Sequence, residues 1–152
     1  MSMPFRLRVP PGLFAAMVAQ ALAEQPHECC GLLAGVLDGP SAADGPAVRV
    51  GRVVERYPLV NAAASPVEYW SSPESMFAAH RAMRGRGLEV LAVYHSHPAS
   101  PPVPSRTDRA RNYSPDVVSL IISLTTTPPT VRGWWLTDQA YREAEWEIGG
   151  SA

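Results

Sequence analysis

Two histidines, a serine and an aspartate lie close together in the stretch HSHPASPPVPSRTD, residues 95–108. Successive side chains of a β-strand point to opposite faces, so a strand here would direct His95 and His97 to one side and Ser96 to the other. Two imidazoles on one side supply half of a zinc site. Asp108 can supply a third ligand, and a fourth position left to water is typical of a catalytic zinc site rather than a structural one.

The spacer between the histidines and the aspartate is rich in proline. Each proline fixes one backbone dihedral angle and removes one hydrogen-bond donor, and four occur here: Pro98, Pro101, Pro102 and Pro104. We expect them to hold the loop in one extended course, so that Asp108 returns to the histidines at little cost in entropy.

Ser105 and Asp108 also allow a simpler interpretation. Ser-x-x-Asp before a helical stretch resembles a capping box, in which Ser105 would cap a short helix and Asp108 would lie in its first turn. The two roles are compatible, because the start of a helix is a rigid place to hold a ligand.

A metal-dependent hydrolase also needs a general base. The best candidate is Glu28 in PHECCGLLAG, since it lies in a loop between Pro26, which ends a predicted helix, and a buried strand. Its neighbour His27 is interpreted as a surface residue. Cys29 and Cys30 are interpreted as small apolar core residues, not as a nucleophile or a ligand.

Together these residues resemble the signature of the JAMM (MPN-plus) metalloprotease family. That signature is an upstream glutamate, then His-Ser/Thr-His-Pro, a spacer and Ser-x-x-Asp. This sequence contains Glu28, His95-Ser96-His97-Pro98 and Ser105-Arg106-Thr107-Asp108. PHECCGLLAG is also similar to the Pro-x-Glu-x-Cys-Gly-Leu-Leu-x-Gly segment of small prokaryotic members, and the resemblance extends from the first predicted helix to the last strands.

The resemblance implies a fold and a set of residue roles. The fold would be a single α/β domain over residues 1–152, with a mixed β-sheet packed between helices as in the cytidine deaminases. One zinc ion would be bound by His95, His97 and Asp108. Glu28 would act as the general acid/base, and Ser105 would help to stabilise the oxyanion.

The implied activity is that of a zinc metalloprotease, a JAMM-type isopeptidase or omega peptidase-like hydrolase. Such enzymes cleave the amide bond after the C-terminal glycine of a ubiquitin-like protein, and small bacterial relatives act on ubiquitin-like sulfur carriers. A sulfur-carrier protein is therefore the expected partner. Its diglycine tail could add to a strand edge, and the segment 57–70 is expected to lie nearby.

Three alternatives remain at this stage. A deaminase on a related fold would need Pro-Cys-x-x-Cys, which the sequence lacks. A non-catalytic MPN-type scaffold is a second possibility, although such relatives have usually lost the histidines or the aspartate. A generic zinc peptidase without a ubiquitin-like partner is the third.

Composition limits the other functional classes. The chain has 152 residues, 18% of them charged, and a net charge of −1. This balance gives no reason to expect a nucleic acid or a membrane surface as a partner, and the arginines at 81–86 and 106–111 are interpreted as solvated helix faces. Adjacent cysteines leave no disulfide framework, and no signal peptide or apolar membrane span is evident. The expected location is the cytoplasm.

The elements that must position the site follow from hydrophobic periodicity. Helices are predicted at 12–25, 73–84 and near Ser105. Strands are predicted at 31–37, 47–61 (one or two strands), 88–97 and 117–124. The region 131–148 is predicted to form a closing antiparallel pair, whose second strand spans 141–148. The stretch 38–46 is predicted to be a loop. Ser72 should cap the second helix and Gly85 should follow its end. Tyr69 and Trp70 could pack against the site or in the core, and the core is the preferred assignment.

Overall fold

The computed structural model of the chain describes residues 5–39, 49–110 and 116–150. Within these ranges, three helices and eight strands form in the order β1 (Arg6–Val9), α1 (Pro11–Ala23), β2 (Cys30–Asp38), β3 (Val50–Leu59), α2 (Pro73–Arg86), β4 (Glu89–His97), α3 (Arg106–Ala110), β5 (Val118–Ser123), β6 (Thr130–Leu136), β7 (Tyr141–Glu143) and β8 (Trp146–Ile148). The predicted elements up to β5 are confirmed with small shifts at their ends. Most of the predicted loop at 38–46 lies outside the described residues.

All eight strands belong to one mixed sheet with the order β7-β6-β5-β4-β2-β3-β1-β8. Strand β4 lies inside the sheet, antiparallel to β2 and parallel to β5. The continuous apolar sequence of β4 fits this position, because an interior strand of a sheet covered on both sides is buried on both faces. The C-terminal end of β4 is therefore a rigid base for the two histidines.

The sheet curls, because its two edge strands are neighbours in the chain. Strands β7 and β8 are separated only by Ala144 and Glu145. These two residues bond to the strands next to the two edges: the Ala144 N–H donates to the Gly133 carbonyl of β6 (2.8 Å), and the Glu145 carbonyl accepts from the Leu7 N–H of β1 (3.1 Å). The prediction of one strand across 141–148 is wrong. Strand β7 pairs with β6 as expected, but β8 pairs in parallel with β1, a partner that alternation in the sequence does not identify.

Helices α1 and α2 cover opposite faces of the sheet. Helix α1 buries Met17 and Ala21 in a core that also contains Leu33 and Tyr94. Helix α2 buries its own pair in a second core, which comprises Cys30, Leu32, Ala34, Leu59, Ala79 and Met83. Each large apolar side chain buried in this way contributes about 1.5–3 kcal/mol. The predicted fold class, a mixed β-sheet packed between helices, is confirmed.

Helix α2 begins as predicted but ends later. The Ser72 hydroxyl accepts a hydrogen bond from the Ser75 N–H (3.1 Å), and Pro73 occupies the first turn. The prediction that Gly85 follows the helix is wrong: the helix runs through it to Arg86, and Gly87 ends it with a φ of 66°. A left-handed residue after a helix strongly favours glycine, but two nearby glycines look equivalent in the sequence. No helix of the described ranges is long and apolar enough to cross a membrane.

One close contact between strands makes a testable prediction. Gly31 of β2 lies against the ring of Tyr94 on β4, and an added methyl group would overlap that ring. The Tyr94 hydroxyl is held by the side chains of Gln20 and Arg56, so the ring cannot easily move. We expect Gly31→Ala to lower the free energy of unfolding by about 2 kcal/mol or more, as measured by denaturant titration.

The matched control is Gly85→Ala on the exposed side of α2, where an added methyl group would meet nothing within 4 Å. Alanine is the better helix former, so this variant should be at least as stable as the wild type. Equal stability of the Gly31→Ala protein and the wild type would contradict the proposed overlap.

Candidate metal centre and catalytic site

The histidines stand at the end of β4 as the alternation of a strand requires. His95 and His97 are buried and face the same side, and their Nε2 atoms are 3.1 Å apart. Ser96 points the other way, where its hydroxyl accepts from the Cys29 N–H (2.8 Å) and its own N–H donates to the Cys29 carbonyl (3.1 Å). Ser96 therefore fixes the end of the strand on which both imidazoles depend.

Asp108 brings a third ligand atom to the same point. Its two carboxylate oxygens lie 3.1 Å from the Nε2 atoms of His95 and His97. Ligand atoms bound tetrahedrally to one zinc ion at its usual bond lengths are about 3.3 Å apart. The two Nε2 atoms are separated by nearly this distance, and each lies equally far from a different oxygen of Asp108. The three residues could therefore hold a metal ion.

A backbone carbonyl orients one of the two imidazoles. The Nδ1 atom of His97 lies 2.8 Å from the carbonyl oxygen of Pro101. Donation from Nδ1–H to this carbonyl leaves the Nε2 lone pair directed at the site, an outer contact typical of metal-bound histidine. The Nδ1 atom of His95 is buried and has no hydrogen-bond partner within the described ranges, whereas its Nε2 atom contacts Asp108 and His97.

Side chains from β5 and β6 also hold the proline-rich loop. The Ser123 hydroxyl donates to the Ser100 carbonyl (2.7 Å), and the Trp134 indole N–H donates to the Pro102 carbonyl (2.9 Å). The loop course therefore depends on bonds to the sheet as well as on the prolines. The sequence reasoning missed both donors, since neither lies in a motif and only the fold brings them to the loop.

Ser105 and Asp108 form both arrangements that the sequence allowed. The Ser105 N–H donates to the Asp108 carboxylate (2.9 Å), and the Asp108 N–H donates to the Ser105 hydroxyl oxygen (3.0 Å), which is a reciprocal cap of α3. The same carboxylate faces the histidines. The Ser105 hydroxyl accepts in this cap, so its own proton is still able to donate to another group.

The contacts at this centre shift the pKa values of Asp108 and His97 in opposite directions. Burial alone would raise the pKa of Asp108, but the contacts with His95 and His97 and the bond from the Ser105 N–H lower it well below its usual range. Burial disfavours the charged form of His97, but its bonds to Asp108 and Pro101 outweigh burial and raise its pKa. Metal ligation requires a deprotonated carboxylate and neutral imidazoles, so metal binding at this centre would depend on pH.

Glu28 lies in the same site, with 3% of its surface exposed. Its Oε1 atom has no hydrogen-bond partner among the residues that the structure describes. Burial raises the pKa of this carboxyl to about 8; the field of His97 opposes the shift, and those of Asp108 and Glu68 add to it. A carboxyl that titrates near neutral pH can both accept and donate a proton during turnover.

An aromatic residue and a cavity complete the surroundings. The Tyr69 ring packs on the His95 imidazole with ring centres 4.8 Å apart, and Trp70 is 56% exposed. The assignment of Trp70 to the core is therefore wrong, because the segment before α2 turns towards the site, whereas Tyr69 packs both against the core beneath α2 and on His95. A cavity of about 420 Å³ opens beside His95 and Asp108, and its lining is mostly apolar: Leu32, Leu59, Trp70, Met76, Val93 and Leu136.

The adjacent cysteines are free and buried. Cys29 packs in the core beneath α1, whereas Cys30 packs in the core beneath α2. Burial raises the pKa of Cys29 to about 11 and that of Cys30 to about 12. Both thiols remain protonated at neutral pH, which agrees with a packing role. His27 is exposed, as expected.

A curled mixed sheet between helices, with two histidines at the end of an interior strand and an aspartate on the next short helix, defines a domain of the JAB (MPN) class. The chain belongs to the family described as prokaryotic homologs of the JAB domain, whose sequence model matches residues 10–137. It is similar to a desampylase of Haloferax volcanii, with 38% identity over 104 residues that cover 68% of this chain and 67% of the relative.

Other relatives and solved structures agree with this assignment. A CysO-cysteine peptidase of Mycobacterium tuberculosis is 36% identical over 112 residues, which cover 73% of this chain and 68% of the relative. A probable TtuB-protein conjugate cleaving protease of Thermus thermophilus is 38% identical over 104 residues, or 67% of this chain and 60% of the relative. The solution structure of a Desulfitobacterium hafniense protein superposes with a TM-score of 0.79 and 29% identity, covering 95% of this chain and 94% of that one. The chain is thus a hydrolase of peptide or isopeptide bonds.

Proposed function

We propose that the protein is a zinc-dependent peptidase that hydrolyses the amide bond after the C-terminal glycine of a ubiquitin-like sulfur-carrier protein. The observation that carries this proposal is the convergence of His95, His97 and Asp108 at 3.1 Å separations beside the buried carboxyl of Glu28. The names of the relatives support the substrate class, since they act on CysO-cysteine and on TtuB-protein conjugates.

In this proposal each site residue has one task. His95, His97 and Asp108 hold one zinc ion, which supplies Lewis-acid polarisation of the scissile carbonyl when it is bound. Glu28 accepts a proton from the attacking water and passes it to the leaving amine nitrogen as the carbon–nitrogen bond breaks, so the products are a carboxylate and a free amine. The Ser105 hydroxyl donates a hydrogen bond to the oxygen of the tetrahedral intermediate.

We further propose that residues 1–152 form a single catalytic domain. The proposal is supported by the sheet, which contains both the first strand, β1, and the last strand, β8. We also propose a cytoplasmic location. The two free cysteines support it, because disulfides are rare in that compartment.

The test is hydrolysis of a sulfur-carrier fusion that carries a C-terminal extension after its diglycine. We expect the zinc-loaded protein to release the extension by cleavage after the second glycine, as identified by intact mass. A chelator should stop the reaction and added zinc should restore it. A fusion with valine in place of the last glycine is the matched control and should remain intact.

Two results would count against the proposal. No cleavage of the diglycine fusion by fully zinc-loaded protein would exclude the sulfur-carrier substrate. Equal cleavage of the valine control or of unrelated peptides would indicate a general peptidase.

A further inference from the structure

Asn61 lies two residues after the end of β3. Its side-chain amide forms hydrogen bonds with four main-chain groups. Its Nδ2 atom donates to the carbonyl oxygens of Glu28 (2.9 Å) and Glu68 (3.2 Å). Its Oδ1 atom accepts from the N–H groups of Ala63 and Trp70, both at 3.0 Å. A primary amide has two N–H donors and one oxygen with two lone pairs, so every bond that this side chain can make is made.

The position of Glu28 depends on the segment that contains Asn61. Glu28 precedes β2, so no strand pairing holds its main chain. Instead its N–H donates to the Ser65 carbonyl (2.8 Å) and its carbonyl accepts from Asn61. Its buried Oε1 atom has no hydrogen-bond partner within the described ranges. The carboxyl is therefore placed through the main chain, and residues 61–70 supply both main-chain bonds.

The same segment also reaches a histidine of the metal centre. Asn61 accepts from Trp70 and donates to Glu68, the two neighbours of Tyr69. The Tyr69 ring packs on His95. One amide thus fixes the main chain around Glu28 and the main chain around the ring that supports His95.

We propose that Asn61 is a positioning residue for catalysis, which holds Glu28 at the distance from the metal centre that proton transfer requires. This inference rests on the proposed function, because Asn61 acts only through Glu28 and the segment 61–70. One local signal for it exists in the sequence: an asparagine that ends a strand and precedes small residues is typical of an Asx turn, and the bond from the Ala63 N–H forms this turn.

The test uses Asn61→Asp, which has the same size and keeps the acceptor for Ala63 and Trp70. It replaces the two donors by an oxygen that faces the carbonyls of Glu28 and Glu68. We expect kcat to fall by about 10- to 100-fold, because small misplacements of a catalytic group cost rates of this order. KM should stay unchanged. Bound zinc should equal that of the wild type, because His95, His97 and Asp108 come from β4 and α3.

The matched control is Ser75→Ala. It removes a hydroxyl that accepts from the Val60 N–H (3.2 Å), next to Asn61, and its bonds to Val60 and Ser72 lie outside the segment 61–70. This variant should keep the wild-type kcat. A second variant, Asn61→Gln, retains the amide but displaces it by one methylene group, and it should show the same selective loss of kcat if the aspartate variant fails to fold.

The outcomes separate this inference from the proposed function. An inactive wild type would refute the function, whereas an active wild type with an equally active Asn61→Asp protein would refute only the role of Asn61. Loss of zinc in parallel with kcat, or failure of both variants to fold while Ser75→Ala folds, would show that Asn61 supports the structure in general and would overturn a role through Glu28.

Discussion

Glu28→Gln is expected to abolish turnover of the diglycine fusion while the protein keeps its full complement of zinc. Glutamine has the shape of the glutamate but cannot accept a proton from water, and loss of a general acid/base typically costs about 10²–10⁴ in rate. Metal binding should be unaffected, because the three converging ligand atoms belong to His95, His97 and Asp108. Zinc analysis and single-turnover rates on the same preparation measure the two effects together.

The stability of the metal-free protein gives an independent check on Glu28. Because burial raises its pKa from 4.5 to about 8, the folded state binds the proton more tightly than the unfolded state. The stability of the wild type should therefore fall as the pH rises from about 4.5 to about 8, and the lost stability should not return above that range. The metal-free Glu28→Gln protein, which buries no such charge, should be more stable than the wild type at pH 8.

Two results would contradict these expectations. Appreciable activity in the Glu28→Gln protein would remove Glu28 from its proposed role. A metal-free variant less stable than the wild type at pH 8 would mean that the Glu28 carboxylate forms favourable contacts in the folded state.

Asp108→Ala is expected to lose zinc. The change leaves two imidazoles and removes the only carboxylate that touches them within the described part of the chain. Loss of a residue that only hydrogen-bonds to a metal ligand typically lowers metal affinity by about 10- to 100-fold. Loss of Asp108, a proposed ligand itself, should lower zinc affinity by at least this factor, and activity should fall to background. Equilibrium dialysis against a zinc buffer, followed by metal analysis, measures the affinity.

Two further variants control for other effects of this change. Asp108→Asn retains an oxygen that can accept from the Ser105 N–H, so a loss of zinc in this variant cannot be assigned to the helix cap. Asp38→Ala removes an exposed carboxylate paired with Arg52 and should leave zinc binding unchanged. Full zinc occupancy in Asp108→Ala protein at limiting zinc would count against ligation by Asp108.

The ligand-bearing part of the site could be predicted because it is almost local. A strand of period two directs His95 and His97 to one side, and a capped helix returns Asp108 after a stiff spacer, so sequence spacing alone implies convergence. The contributions of Trp134, Asn61 and Tyr69 could not be predicted in this way. Each acts on a main-chain group or a ring far away in the chain, and only the assembled sheet brings the partners together.

The same distinction applies to the fold. Runs of buried residues identify strands β2 to β5 but not the four-residue β1, and the Ser72 cap identifies the start of α2. The partner of β8 is a matter of tertiary structure, because Trp146 and its neighbours alternate equally well whether they pair with β6 or with β1. Likewise, only backbone geometry shows that Gly87, and not Gly85, adopts the left-handed conformation.

The neighbouring positions of β7 and β8 in the chain have a consequence for self-association. Open sheets risk joining to other molecules through unpaired strands at their margins, and proteins often keep those strands short. Here residues 141–148 cover both margins at once, with three residues on each side. The longer β6 and the half-buried β1 are thus both shielded by one C-terminal stretch, which leaves only short strands open to intermolecular β-pairing.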